Sequence, residues 1–214
     1  TWYEVRVSEK GYLGRRGGID LMVAMNPQTW AADVEEIEPG GYLFYDSTRP
    51  RPPSELRDDI TVIGMPLTEI CNAVYSDPRQ RQLFKNIMYV GALSVLLGIE
   101  HQAIEGLLAE QFKGKEKLIA ANVQALNLGR DFATEHLKHP LPIQVRRADA
   151  VGQRIFIEGN EAAGLGAVYG GATVCAWYPI TPSTSVAEAF MKYCAKFRVD
   201  SEGRHNYAIV QGED

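Results

Sequence analysis

The chain has 214 residues, 45% hydrophobic and 23% charged, with 22 Lys and Arg against 27 Asp and Glu for a formal charge of −5. That length suits one large domain or two modest ones, and the mixture excludes a disordered or fibrous chain. An acidic balance supplies no cation excess for a phosphate backbone, so nucleic acid is not an expected partner.

Residues 3–7 (YEVRV) alternate in polarity and predict a half-buried strand. Arg15, Arg16, Gly17 and Gly18 form a basic turn ahead of a buried parallel-type strand at residues 19–25 (IDLMVAM). Asn26 as N-cap and Pro27 at the first helical position predict a helix to about Ile37, broken by Pro39, Gly40 and Gly41. Strands are predicted at 42–45 and 60–64, separated by a proline-rich loop at 46–54. The strand–helix–strand order implies an α/β layer with a parallel sheet.

From Leu67 the period becomes helical, with helices predicted near 67–75, 81–97, 101–112 and 115–137. The apolar stretch 87–99 inside this region is shorter than the ~20 residues a membrane helix needs, and no charged-then-apolar leader opens the chain. No membrane association is expected, and the cytoplasm is the expected compartment. Prolines, charges and weak periodicity make 138–152 a linker. A second α/β unit follows: strand 154–158, small-residue helix 160–171, strand 173–178, helix 182–196 and strand 207–213. Because the chain opens on Thr1 and stops directly behind an apolar strand, it reads as a piece of a longer polypeptide.

Cys71, Cys175 and Cys194 are far apart, so neither a disulfide framework, a zinc site nor a four-thiolate cluster is expected of this chain alone. Buried thiols are the simpler reading. Gly159, Gly164, Gly166, Gly170 and Gly171 miss the dinucleotide fingerprint, because Tyr169 stands where its third glycine belongs. A close-packed helix explains them better. His136 and His139 sit at the end of a long helix and suit its dipole without being metal ligands.

The string Tyr178-Pro179-Ile180-Thr181-Pro182-Ser183 joins a strand's carboxyl end to a helix start, with φ fixed at both prolines. Ligands bind at that end of open α/β sheets, and helix N-termini attract anions. Plain capping stays open beside this, either Thr181 as N-cap with Pro182 at N1 or a Ser185–Glu188 capping box.

The segments GNEAAGLGAVYGGATVCAWYPITPSTSVAE and AIVQGED resemble the start of the alpha part of the 2-oxoacid:ferredoxin oxidoreductases. The YPITP string and the Q-x-E-D ending carry the specific match. MNPQTW, GGYLFYDST and KNIMYVGALSVLLGI resemble the gamma part, which one arrangement of the family fuses ahead of alpha. The resemblance covers nearly the whole chain, lacking the glycine-rich start of gamma and most of alpha. It implies a partial Rossmann-like gamma domain (1–140), a linker (141–151) and the start of a thiamine-diphosphate pyrimidine-binding α/β domain (152–214).

The resemblance also implies a function. The family oxidatively decarboxylates 2-oxo acids to acyl-coenzyme A and passes electrons to ferredoxin. The fused arrangement leans toward 2-oxoglutarate. Thiamine diphosphate would be shared with a beta subunit that brings Mg²⁺ and an iron–sulfur cluster, and coenzyme A would be a co-substrate. Glu213 matches the carboxyl that contacts the cofactor's aminopyrimidine ring, and strand alternation groups it with Tyr207, Ile209 and Gln211, with a solvated strand-end carboxylate beside Asp214 as its plain alternative. Thr181, Tyr178 and Ser183 match substrate-binding positions, and Ile180 a cofactor wall. A basic residue for the substrate's charge would lie downstream of this sequence. Loops at Asn26-Pro27 and Asp46-Ser47-Thr48 are candidates for coenzyme A or subunit contacts, with turn chemistry as their bland alternative. A non-catalytic module that binds coenzyme A or a nucleotide, or that only joins subunits, is the competing reading.

Overall fold

The computed structural model describes residues 2–12 and 14–212. It divides the chain into two compact units, Thr1–Ala148 and Asp149–Asp214. Both are α/β with parallel strand pairing.

In the first unit β1 (Ile19–Ala24), β2 (Ile37–Asp46) and β3 (Thr61–Met65) pair in that order. Alternation along β2 feeds two cores. Leu43 and Tyr45 pack with Ala24, and with Trp30 and Val34 of α1 (Trp30–Glu35). Phe44 joins Ile63 and Met65 in a second core built on α2 (Leu67–Val74), α3 (Pro78–Leu97) and α5 (Glu116–His136). With both faces covered, the central strand needs no polar alternation. A shorter helix, α4 (His101–Gln111), packs beside α5.

The helices start and stop for local reasons. Asp77 caps α3 by accepting from the Arg79 N–H at 2.8 Å, Pro78 fills the first turn, and Gly98 closes it at φ +67°. α3 and α5 approach closely because both carry glycine at the crossing. A Cβ on Gly91 would strike the Leu126 carbonyl, and one on Gly129 the Met88 carbonyl. Beyond α5 the chain stays on this unit: the Leu141 and Val145 N–H groups donate to Leu96 and Leu97 carbonyls at 2.8 Å, and Leu141 is buried.

The second unit contains α6 (Gly159–Tyr169), β4 (Val174–Trp177), α7 (Thr184–Phe197) and β5 (Ala208–Gln211). β4 and β5 are parallel, with Val174 opposite Ala208 and Trp177 opposite Gln211. Cys175 and Ile209 pack against Val168, Phe190 and Cys194, while Val174, Ala176, Ala208 and Val210 are exposed on the other face. Gly164 is buried where α6 meets α7, and a Cβ there would lie 2.7 Å from the Phe190 nitrogen. The glycine-rich helix is thus a packing element.

Several predicted elements are corrected. Residues 3–7 and 154–158 are not strands. Alternation makes a strand only where a neighbour supplies the ladder, and Val5 and Phe156 remain 69% and 85% exposed. The first helix starts at Trp30, not at Pro27, since Asn26 Oδ1 accepts from the Gln28 N–H at 3.0 Å and forms a turn there. Pro39, Gly40 and Gly41 lie inside β2 and do not merely end a helix. The register jumps from Ile19 opposite Ile37 to Leu21 opposite Tyr42, so residues 38–41 bulge, with Gly40 at φ +81°.

Candidate functional site

The loop from Tyr178 to Ser183 leaves the carboxyl end of β4 and enters α7, where ligand sites of parallel sheets form. The expected caps are not made. α7 starts at Thr184 with Ser183 in the N-cap position, so Thr181 and Pro182 precede the helix, and no side chain caps it. The loop instead folds around two of its own carbonyls. The Ile180 carbonyl accepts from the Thr184 N–H at 3.0 Å and from the Ser183 and Thr184 hydroxyls at 2.9 and 3.2 Å. The Pro182 carbonyl accepts from the Ser185 hydroxyl at 3.0 Å, which replaces the predicted Ser185–Glu188 box.

These bonds sort the sequence-predicted residues. The hydroxyl protons of Ser183, Thr184 and Ser185 are engaged within the loop. Thr181 is exposed, and its hydroxyl has no partner among the described residues. Tyr178 and Ile180 present exposed apolar surface. Just before the loop, the Trp177 indole N–H is buried and likewise has no hydrogen-bond partner among the described residues. The loop therefore offers one exposed hydroxyl and apolar surface, and the strand before it one buried indole N–H. Glu213 lies outside the described residues.

Sequence reasoning missed Asn160. Its Nδ2 donates to the Pro182 carbonyl at 3.0 Å and to Ser185 Oγ at 2.7 Å, tying the first turn of α6 to the loop. Only the fold brings these residues together, 22 or more positions apart in sequence. The next residue, Glu161, accepts from Lys192 Nζ at 2.5 Å and Tyr193 Oη at 2.9 Å on α7. Those two bonds, the lysine's first, hold the Glu161 carboxyl below its ordinary range.

The first unit's strand ends are different. Asp46, at the end of β2, accepts from the Thr48 N–H and hydroxyl at 3.1 and 2.7 Å and from the Thr68 N–H at 3.3 Å. It also accepts from the Thr68 hydroxyl, and Lys85 Nζ stands 3.6 Å away. Burial pushes this carboxyl up, but the bonds from Thr68 and Thr48 outweigh it and hold it below the ordinary value. At the end of β1, Asn26 is occupied by its own turn. A cavity of about 150 Å³ beside Asp46 is lined in part by Thr68, Cys71, Arg81 and Lys85. Burial raises the Cys71 and Cys194 thiols, as expected of core cysteines rather than nucleophiles. Among the described residues, no three His, Cys, Asp or Glu side chains converge as metal ligands, and no helix is long and apolar enough to cross a membrane.

Parallel strand pairing, with a loop running from the carboxyl end of β4 into α7, defines an α/β protein. The chain belongs to the pyruvate ferredoxin/flavodoxin oxidoreductase family, whose model matches residues 1–132. It is 25% identical over 87% of its length to 2-oxoacid:ferredoxin oxidoreductase 2, subunit alpha, of Aeropyrum pernix. It is 26% identical over 89% of its length to the 2-oxoglutarate oxidoreductase subunit KorA of Mycobacterium tuberculosis. Among solved structures it matches 2-oxoglutarate:ferredoxin oxidoreductase from Magnetococcus marinus with 2-oxoglutarate, coenzyme A and succinyl-CoA bound. That match has a TM-score of 0.75 and 26% identity over 95% of this chain. The chain spans about a third of these relatives: 35%, 33% and 34% of their respective lengths.

Proposed function

We propose that this chain is the gamma part and the beginning of the alpha part of a 2-oxoacid:ferredoxin oxidoreductase in the fused arrangement. On this reading it works in the cytoplasm with a beta subunit, converting a 2-oxo acid and coenzyme A to acyl-coenzyme A and CO₂ while reducing ferredoxin. 2-Oxoglutarate is the favoured substrate, since two of the relatives above carry it in their names. The first unit takes the role of a Rossmann-like gamma domain and the second that of the start of a pyrimidine-binding domain. The observation that carries the reading is the open Thr181 hydroxyl, in a loop whose neighbouring hydroxyls are all engaged.

The donor set suits a division of labour between subunits. Thr181 offers an O–H to a substrate carboxylate, and Tyr178 and Ile180 offer apolar surface to a flat ring or to the substrate's carbon chain. The start of α6 is a poor diphosphate cradle, because Glu158 and Glu161 flank it with negative charge. The diphosphate and its Mg²⁺ therefore fit the beta subunit better, as does the iron–sulfur cluster. Thiamine diphosphate, when bound, supplies the nucleophilic carbon and the electron sink for decarboxylation. Glu213 would meet its aminopyrimidine ring, where a carboxyl that shares or donates a proton serves the chemistry. Ser183 would shape the loop from beneath rather than donate to substrate, since its proton is on Ile180. In the first unit, the loops at Asn26 and Asp46 would face coenzyme A or a neighbouring subunit.

The test uses the complete enzyme, assayed for ferredoxin reduction that requires both 2-oxoglutarate and coenzyme A, with pyruvate and a branched-chain acid as comparators. Thr181→Val keeps the shape and removes the donor. The expected loss in kcat/KM is about tenfold to several hundredfold, the ~1.5–3 kcal/mol of a hydrogen bond to a charged group. Unchanged kcat/KM alongside a lowered melting temperature would assign Thr181 to the fold.

A further inference from the structure

We infer that Asn160 is a positioning residue for this site, holding the loop so that the Thr181 hydroxyl is aimed before substrate arrives; this rests on the reading of Thr181 given above. Its two hydrogen bonds end on the residue directly after Thr181 and on the first turn of α7. The donor pattern is self-consistent. A carbonyl can only accept, so the amide nitrogen, not its oxygen, must face Pro182. Its second proton goes to Ser185 Oγ, whose own proton returns to the same Pro182 carbonyl. Three groups thus close a ring in which each donor has one acceptor and the carbonyl uses both lone pairs.

The ring sits where it controls direction rather than stability. Two other fixtures hold α6 on α7: the Glu161 bonds to Lys192 and Tyr193, and the close approach at Gly164. Neither reaches the loop. The upstream half of the loop is held at the Ile180 carbonyl by Ser183 and Thr184. Thr181 lies between that anchor and the Pro182 carbonyl, so removing Asn160 cuts the loop's tie to α6 and leaves the Pro182 carbonyl held by Ser185 alone, while the helix pair stays in place. Asn160 is half-buried and in the first turn of α6, where an alanine fits the helix without a clash.

The experiment is a double-mutant cycle in the complete enzyme with 2-oxoglutarate as the varied substrate. Asn160→Ala should lower kcat/KM about tenfold to a hundredfold, the scale on which a ~1 Å misplacement acts, with the melting temperature nearly unchanged. In the Thr181→Val background the same substitution should have little further effect, because the group it aims is gone. Asn160→Asp keeps the size but sets an acceptor against the Pro182 carbonyl, and should lose more than Asn160→Ala. If Asn160→Ala adds in full to Thr181→Val, or leaves kcat/KM intact while Thr181→Val lowers it, the positioning role is overturned and the Thr181 reading stands. A silent Thr181→Val overturns both, and is distinguished by that single variant.

Discussion

The two units end parallel strands in short polar loops that run into helices, and they treat their polar groups in opposite ways. At the end of β2, Asp46 draws on both Thr48 and Thr68 and stands beside Lys85, so the α2 start carries its own internal anion. At the end of β4, Thr181 and Trp177 keep donors with no partner among the described residues, while the hydroxyls around them are engaged. A saturated edge stabilises the fold, because its part-buried carboxylate has donors from both Thr48 and Thr68. At the β4 edge the buried Trp177 N–H carries a desolvation cost, whereas the exposed Thr181 hydroxyl does not. On the proposed reading, the same architecture serves structure in one unit and recognition in the other.

Substitutions can sharpen or break this contrast. The largest expected effect is at Glu213. Glu213→Gln in the complete enzyme should leave thiamine diphosphate bound while slowing hydrogen–deuterium exchange at its reactive carbon by orders of magnitude, read by NMR. Exchange at the parent rate would remove Glu213 from the cofactor.

Next come the helix crossings that support each edge. Gly129→Ala drives a Cβ into the Met88 carbonyl, and neither backbone can yield cheaply. A loss of about 1–3 kcal/mol is expected in thermal or denaturant unfolding. Gly164→Ala meets the Ala189 methyl and the Phe190 nitrogen at 2.7 Å, a milder overlap, and should cost less. Equal losses at the two sites would show that the α6–α7 seam is packed as tightly as α3–α5.

Asp46→Asn tests the saturated edge directly. The folded carboxyl lies below its ordinary value of 3.8, so its stabilisation is fully present above that value. It fades as pH falls through the depressed folded value. The variant should lose about 1–2 kcal/mol near neutral pH, and its deficit should shrink below about pH 4. A pH-independent deficit would assign the effect to packing rather than to the charge. The smallest effect is expected at Ser183. Ser183→Ala removes one of several bonds to the Ile180 carbonyl and should cost about 0.5–1 kcal/mol, with kcat/KM within a few-fold of the parent. A loss as large as that of Thr181→Val would make Ser183 a substrate donor.

The elements that sequence alone located are those whose periodicity spans many residues. Helices at 67–75, 81–97, 101–112 and 115–137 appear as Leu67–Val74, Pro78–Leu97, His101–Gln111 and Glu116–His136, because each repeats its apolar face over two or more turns. The short apolar run at 19–25, interrupted only by Asp20, fits a strand that packs on both sides, as β1 does. Short alternating runs were ambiguous. YEVRV at 3–7 has the pattern of a strand and no partner strand, while 38–41 has the pattern of a breaker and is accommodated as a bulge.

The candidate site divides in the same way. Residue types and spacing singled out the loop from Tyr178 to Ser183, since two prolines at a strand–helix junction are a local signal. Which of its hydroxyls remains open was not legible in residue types, although each bond spans only three or four residues. It depends on the carbonyls of Ile180 and Pro182 turning inward to meet Ser183, Thr184 and Ser185. Asn160 was illegible for a stronger reason, as its partners become neighbours only when α6 packs on α7. Sequence determined what repeats along the chain, because helix and strand periods and turn residues act over a few bonds. Tertiary structure alone decided the loop's tie to α6 through Asn160, because those partners are brought together by packing between segments distant in the chain.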